Sequence, residues 1–143
     1  MIVIDTNIIG YLFLTGNQSA LAETVLRKDG DWVAPPLWRS ELRNVLTSYM
    51  RQQWLSLSEA MQIMEVATEF MSGNEFEVKN SRVLELANQS GCSAYDCEFV
   101  ALADELDLML VTADKKILGA FPQIALSPAS FCSDAAPARN MEQ

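Results

Sequence analysis

Four acidic residues, Asp5, Glu41, Asp96 and Asp114, stand where an α/β chain brings side chains to one edge. Asp5 follows Ile2-Val3-Ile4, three β-branched apolar residues that read as a buried strand of a parallel sheet. Asp114 closes Thr112-Ala113-Asp114, directly after the apolar run Leu108 to Val111. Asp96 opens the helix before that later strand, and Glu41 lies about one turn into a helix that follows an earlier strand. In open α/β sheets ligands bind outside the carboxyl ends of the strands, where helix N-termini also converge. Carboxylates gathered there repel one another and hold their protons more tightly, so the cluster calls for a positive occupant. A hard divalent cation, Mg2+ or Mn2+, suits oxygen ligands, and oxygen ligands alone do not choose between the two. Such an ion acidifies water enough to attack a phosphodiester and stabilises the charge that grows on the phosphorus and leaving oxygens.

The elements that must carry these residues alternate along the chain. Thr6 is expected to cap a helix through about Leu14, and Asn17 or Ser19 a second helix that ends near Asp29-Gly30. Trp32-Val33-Ala34 reads as a strand broken by Pro35-Pro36, which fits the first turn of a helix from about Leu37 to Trp54. On that helix Leu42, Val45, Leu46, Tyr49 and Met50 form the core face, while Glu41, Asn44 and Ser48 lie on an adjoining stripe. Arg39 and Arg43 flank Glu41 and are placed to hold it by ion pairs or to meet a substrate phosphate. A fourth helix, opened by Ser58, is expected from Leu57 to about Met71, followed by Phe76-Glu77-Val78 as a short strand or extended link. Ser81 to Asn88 reads as a helix with Val83, Leu84 and Ala87 inward, stopped at Gly91. The Ser93-Ala94-Tyr95-Asp96 segment starts a strongly buried helix, Lys115 to Leu118 a short one, and Ile124-Ala125-Leu126 is an edge strand that Pro128 stops. This alternation implies an α/β fold with a parallel sheet and right-handed crossovers. The expected organisation is one domain over residues 1–128 and a loosely ordered tail over 129–143, with Phe131 as its anchor.

Each carboxylate also has a purely structural reading. Asp5 can accept N–H bonds at the start of the next helix, and Asp114 can cap the helix beginning at Lys115. Ser93-x-x-Asp96 resembles a capping box, and Glu41 alone reads as a solvated helix residue. A cap and a ligand are compatible, because a carboxylate at a helix N-terminus can also face a site. Joint placement is what favours chemistry.

Composition removes competing chemistries. The 143-residue chain has no histidine, which excludes Ser-His-Asp triads, His-assisted cysteine nucleophiles and H-E-x-x-H zinc sites. A net charge of −9 argues against a generic basic nucleic-acid binder, though not against a nuclease whose cations are bound metals. Three cysteines without a C-x-x-C pair suggest reduced thiols and a cytoplasmic setting. No basic leader or cleavage pattern is read at the N-terminus, and no apolar run is long enough to span a membrane.

The opening V-I-D-T-N, the S-E-L at Ser40 to Leu42, the S-A-Y-D-C-E-F-V-A-L-A stretch at Ser93 to Ala103 and L-V-T-A-D at Leu110 to Asp114 also occur in a matching order and spacing. In these parts the chain, from Met1 to about Pro128, resembles the PIN-domain nucleases and among them the VapC-type toxins of toxin-antitoxin pairs. The resemblance implies a three-layer α/β/α domain with a mainly parallel central sheet and Asp5, Glu41, Asp96 and Asp114 as an acidic quartet. Asp5 and Asp96 would be the principal metal ligands, Asp114 a further ligand, and Glu41 a ligand through water or the group that orients the attacking water. Asn7 and Thr112 match positions that support the quartet by hydrogen bonds. It further implies an RNA substrate, often a structured RNA such as tRNA, a homodimer, and a cognate antitoxin that wraps the toxin.

An acidic protein must meet RNA locally, through Arg39, Arg43, Arg51, Lys115 and Lys116 or a second subunit. The Trp and Met residues between Trp38 and Met71 can offer an adaptable apolar groove to a partner helix, whereas Met61 and Met64 at helical spacing read as core. Two other functions stand beside the nuclease. One is a catalytically idle PIN-like binding module that acts through an antitoxin in transcriptional regulation. The other is a phosphatase with Asp5 as nucleophile, weakened because Asn7 stands where a second acid is needed.

Overall fold

Strand β1 (Ile2–Ile4) lies at the centre of the molecule, and every one of its side chains is buried. Because successive residues of a strand point to opposite faces, complete burial means that both faces of the sheet are covered. The computed structural model describes residues 1–133, and in it β1 is flanked by β2 (Trp32–Val33) and β3 (Leu110–Val111), with β4 (Ala125–Leu126) outside β3. All pairings are parallel: Val3 stands opposite both Val33 and Leu110, and Val111 opposite Leu126. The carboxyl ends of the strands therefore share one edge.

Helices α1 (Thr6–Phe13), α2 (Ser19–Lys28), α3 (Leu37–Arg51) and α4 (Leu57–Phe70) pack on one another as one helical group. Helices α5 (Asn80–Ser90) and α6 (Ala94–Leu106) form a second group, with α6 against β1 and β3. Two short helices, α7 (Lys115–Ala120) and α8 (Pro128–Cys132), complete a three-layer α/β/α architecture. The expected fold class is thus the one observed. Trp32 and Trp38, both fully buried, fill the space beside the central strands, and the ring of Phe70 meets Trp32 edge-on at 5.5 Å.

Several local expectations are corrected. Helix α1 is capped by Asp5, not Thr6, which is the helix's first residue. Gln18 precedes α2 without a side-chain bond, while Ser19 ties the loop by accepting from the Gly16 N–H and donating to the Leu14 carbonyl. Ser56, not Ser58, caps α4, in a complete capping box with Glu59. Helix α3 stops at Arg51 because Gln53 adopts a left-handed φ of 62°, which turns Trp54 back so that its ring meets Tyr49 at 5.3 Å. The extended link meets the sheet edge through an isolated parallel bridge between Ala34 and Glu75 and through the Asn74 side chain, which donates to the Trp32 carbonyl at 2.8 Å.

The inner face of α5 is Val83 and Leu86, three apart, and Leu84 is 64% exposed, so its expected inward place is wrong. Met61 is likewise 62% exposed, because α4 turns Ala60 and Ala67 inward and leaves Met61 off that stripe. The segment after Leu126 is more ordered than expected. Ser127 caps α8 with Pro128 in its first turn, and Lys28 of α2 sits over the Phe131 ring and donates to the Phe131 carbonyl. The expected boundary at residue 128 therefore falls inside a helix, and residues 134–143 of the expected tail lie outside the described residues.

Candidate active site

The parallel sheet delivers Asp5 and Thr112 to neighbouring positions, because the Asp5 N–H donates to the Val111 carbonyl at 3.0 Å at the ends of β1 and β3. Asp5 is only 8% exposed, and its carboxylate is held from two sides. Oδ1 accepts from the Thr6 N–H at 2.7 Å and Oδ2 from the Thr112 hydroxyl at 2.6 Å. The capping role of Asp5 is thus observed, and the second bond fixes the plane of the carboxylate across the strand boundary.

Asp5, Glu41, Asp96 and Asp114 all line one cleft of about 440 Å³ at this edge, together with Asn7. Glu41 reaches it from α3, where its carboxylate accepts from the Thr6 hydroxyl at 2.7 Å. Thr6 therefore serves two carboxylates, with its N–H on Asp5 and its hydroxyl on Glu41. Asp114 caps α7 by accepting from the Lys116 and Ile117 N–H groups. The Asp114 N–H itself donates to Thr112 Oγ1 at 3.0 Å, so Thr112 joins the supports of Asp5 and Asp114. Asn7 accepts from the Ala113 N–H at 3.4 Å.

Asp96 departs from its structural reading. Its N–H donates to the Ser93 hydroxyl at 3.0 Å, yet among the described residues its carboxylate does not return to the Ser93 N–H, whereas the α4 box is reciprocal. The aspartate side chain is one methylene shorter than the glutamate that closes such boxes. Asp96 is left turned to the cleft.

Proton affinities record the crowding. Burial pushes Asp5 up to about 6 against the lowering effect of the Thr112 and Thr6 bonds, and the charges of Asp96 and Asp114 add to the rise. Burial also raises Glu41, opposed by Thr6 and reinforced by Asp5, Asp96 and Glu98. Asp96 is raised by burial and by Asp114, and the Ser93 side chain and the charge of Lys116 partly offset this. The site is short of positive charge. Among the described residues no three acidic, cysteine or histidine side chains close into a ready metal cage. The donor set nevertheless fits a hard divalent cation bound through one or two carboxylates and several waters.

The basic residues are distributed differently from expectation. Arg39 is committed elsewhere: its guanidinium grips Glu75 through two bonds of 2.6 and 2.7 Å, and Trp38 donates to the same carboxylate. It neither pairs with Glu41 nor lines the cleft, because the guanidinium is drawn to the acid of the neighbouring link. Arg43 donates to Ser40, one turn back on α3, and likewise makes no ion pair with Glu41. Lys115 is exposed at the start of α7, while Lys116 is the lysine whose charge acts on Asp96. Sequence reading did not single out Thr6 as a support, nor Tyr95 and Ser40 as lining residues. The available signals were the adjacency of Thr6 to Asp5, of Tyr95 to Asp96 and of Ser40 to Glu41.

Comparison with known proteins places the chain by family and fold. Residues 2–123 match the sequence model of the PIN domain. The chain is 25% identical over 126 residues to Ribonuclease VapC3 of Pyrobaculum aerophilum, covering 86% of this chain and 96% of that protein. Its fold is similar to the crystal structure of FitAcB from Neisseria gonorrhoeae, with a TM-score of 0.71 at 17% identity, covering 90% of this chain and 99% of the other. A toxin-antitoxin complex from Klebsiella pneumoniae contains a chain similar at a TM-score of 0.64 and 17% identity, covering 90% of this chain and 98% of that one.

Proposed function

Since the chain belongs to the PIN-domain family, we propose that it is an endoribonuclease that hydrolyses phosphodiester bonds with a divalent metal, Mg2+ or Mn2+, and acts as the toxin of a VapC-type pair. The observation that carries this reading is the meeting of four carboxylates, from four separate places in the chain, around one open cleft. When bound, the cation supplies an acidified water and neutralises charge on the phosphate in flight. Asp5 and Asp96 would hold the ion, Asp114 would contribute a further oxygen, and Glu41 would orient the attacking water or accept its proton. Thr112 and Thr6 are positioning residues: their bonds stop the Asp5 and Glu41 carboxylates from rotating away from the cleft. Burial makes the Glu41 carboxylate a stronger proton acceptor than an ordinary glutamate, which favours that role.

The name of the Pyrobaculum relative supports RNA as the substrate, and the Klebsiella complex supports an antitoxin as partner. Trp54, Leu57, Met61 and Val66, all at least half exposed, give α4 and the turn before it apolar surface for a partner helix or a second copy in a homodimer. With Arg39 occupied, substrate phosphates would be met by Arg43, Lys115 and Lys116. No helix among the described residues is long and apolar enough to cross a membrane. A toxin that cuts cellular RNA would act in the cytoplasm.

Wild-type and Asp96→Asn proteins incubated with total RNA and with tRNA, in Mg2+, in Mn2+ and in chelator, test this directly. Discrete new ends that need both the metal and Asp96 are the expected result, with cutting at least about a hundredfold weaker in the folded variant. Equal cutting by the variant would refute the assigned role of Asp96. A folded, partner-free wild type that cuts nothing would remove the nuclease reading and favour the idle binding module.

A further inference from the structure

Beside the carboxylate cleft lies a second cavity of about 190 Å³, between α1, α3 and the loop that joins α1 to α2. The two share Thr6, Asn7 and Val45, so an extended ligand can occupy both. The second cavity differs in character: no charged side chain lines it. Tyr11 and Tyr49 line it, the latter with its ring edge-on to Trp54, and so do Asn17 and Gln18 of the loop. Among the described residues the side chains of Tyr11, Asn17 and Gln18 make no hydrogen bond, so their polar atoms are available to a ligand.

Gly10 also lines this space. A glycine in a helix interior costs about 1 kcal/mol relative to alanine. At Gly10 no neighbour requires it, since an added Cβ would meet nothing nearer than Leu14 Cδ1 at 3.9 Å, an ordinary contact. Gly10 therefore lines this space without adding a side chain to it.

We propose that this cavity is a nucleobase pocket, which takes one unpaired base next to the bond cut at the carboxylates and so helps select the cleavage position. A base is flat, uncharged and bordered by donors and acceptors, matching the lining tyrosines and the loop amides. A phosphate would find no cation in it. A base still paired in a duplex cannot enter, so the ligand is a base in a single strand or loop, or one turned out of its stack. Placement beside the cut rests on the nuclease reading; base binding itself does not.

Adenosine, guanosine, cytidine and uridine are each titrated into the wild-type protein and followed by saturation-transfer NMR, then compared with Gly10→Leu, which fills the cavity, and Tyr11→Ala, which strips one wall. At least one nucleoside is expected to bind, and binding should weaken about tenfold or more in each folded variant, the loss expected on removing an aromatic stacking partner. No binding by any of the four, or binding unchanged in Tyr11→Ala, overturns the proposal; the first outcome would leave a partner protein's side chain as the occupant. In parallel, wild-type protein cutting random-sequence single-stranded RNA in Mg2+ should show a base preference at one flanking position, flattened by Tyr11→Ala. Nucleoside binding without cutting would sink the nuclease and leave the pocket. Cutting with a base preference indifferent to Tyr11→Ala would sink the pocket and leave the nuclease.

Discussion

A carboxylate as enclosed as Asp5 makes the folded state respond to pH in a direction opposite to that of a salt-bridged acid. Its proton affinity rises from an ordinary 3.8 to about 6, so between these values the folded chain holds a proton that the unfolded chain has released. Stability therefore falls as pH rises through that window, by about 3 kcal/mol at most for this group, and the loss persists above it. Thermal melts of metal-free protein from pH 4 to pH 7 should show this decline, and Asp5→Asn should reduce it, leaving the contributions of Glu41 and Asp96, which burial also raises. Added Mg2+ or Mn2+ should restore stability at pH 7, since an ion that binds only the folded state shifts the equilibrium towards it. A decline of equal size in Asp5→Asn would mean that Asp5 is not its source. The same crowding explains why the carboxylates serve as caps without being reduced to caps. Asp5 has one oxygen on α1 and the other on Thr112, while the Asp96 side chain leaves its own capping box unclosed.

At the scale of elements, two local arrangements separate structure from chemistry. The first turn of α3 is pinned to the link after α4 by Trp38, Arg39 and Glu75, and that pin holds in place the helix that carries Glu41. Arg39→Ala is expected to lower stability by about 1 kcal/mol, a modest effect because the pair is partly open to solvent. It should leave the salt dependence of RNA binding unchanged, whereas Arg43→Ala should reduce it; urea melts and binding titrations at several salt concentrations distinguish the two. The sequence-level picture of α3 was correct in its core face and missed the partner of Arg39. Helical periodicity locates Leu42 and Leu46, but the acid that captures Arg39 arrives from residue 75, beyond any local window.

For the whole molecule, a net charge of −9 opposes approach of RNA, so under the proposed nuclease function recognition would rest on few phosphate contacts and on the bound metal. If about two to four cations meet phosphates, log affinity should fall with log salt at a slope of only about −1.5 to −3. Filter binding of a non-cleaving Asp96→Asn variant to single-stranded RNA across 50–200 mM salt, in roughly constant divalent ion, measures it. A much steeper slope would mean that a basic surface from a second subunit takes part.

Much of the architecture is legible in the chain alone. Short β-branched and apolar runs separated by helical periods can be buried only in a parallel sheet covered on both faces, and parallel strands put the residues that follow them at one edge. Asp5 and Asp114 could be placed there on that ground. What distance along the chain hides was decided by packing. The double use of Thr6, the diversion of Arg39 to Glu75 and the cavity beside Gly10 all join residues brought together by the fold or depend on space that the fold leaves. Periodicity reports which face of an element is buried. Only the folded arrangement decides which polar group meets which, because each has several acceptors within reach and the packed core selects one.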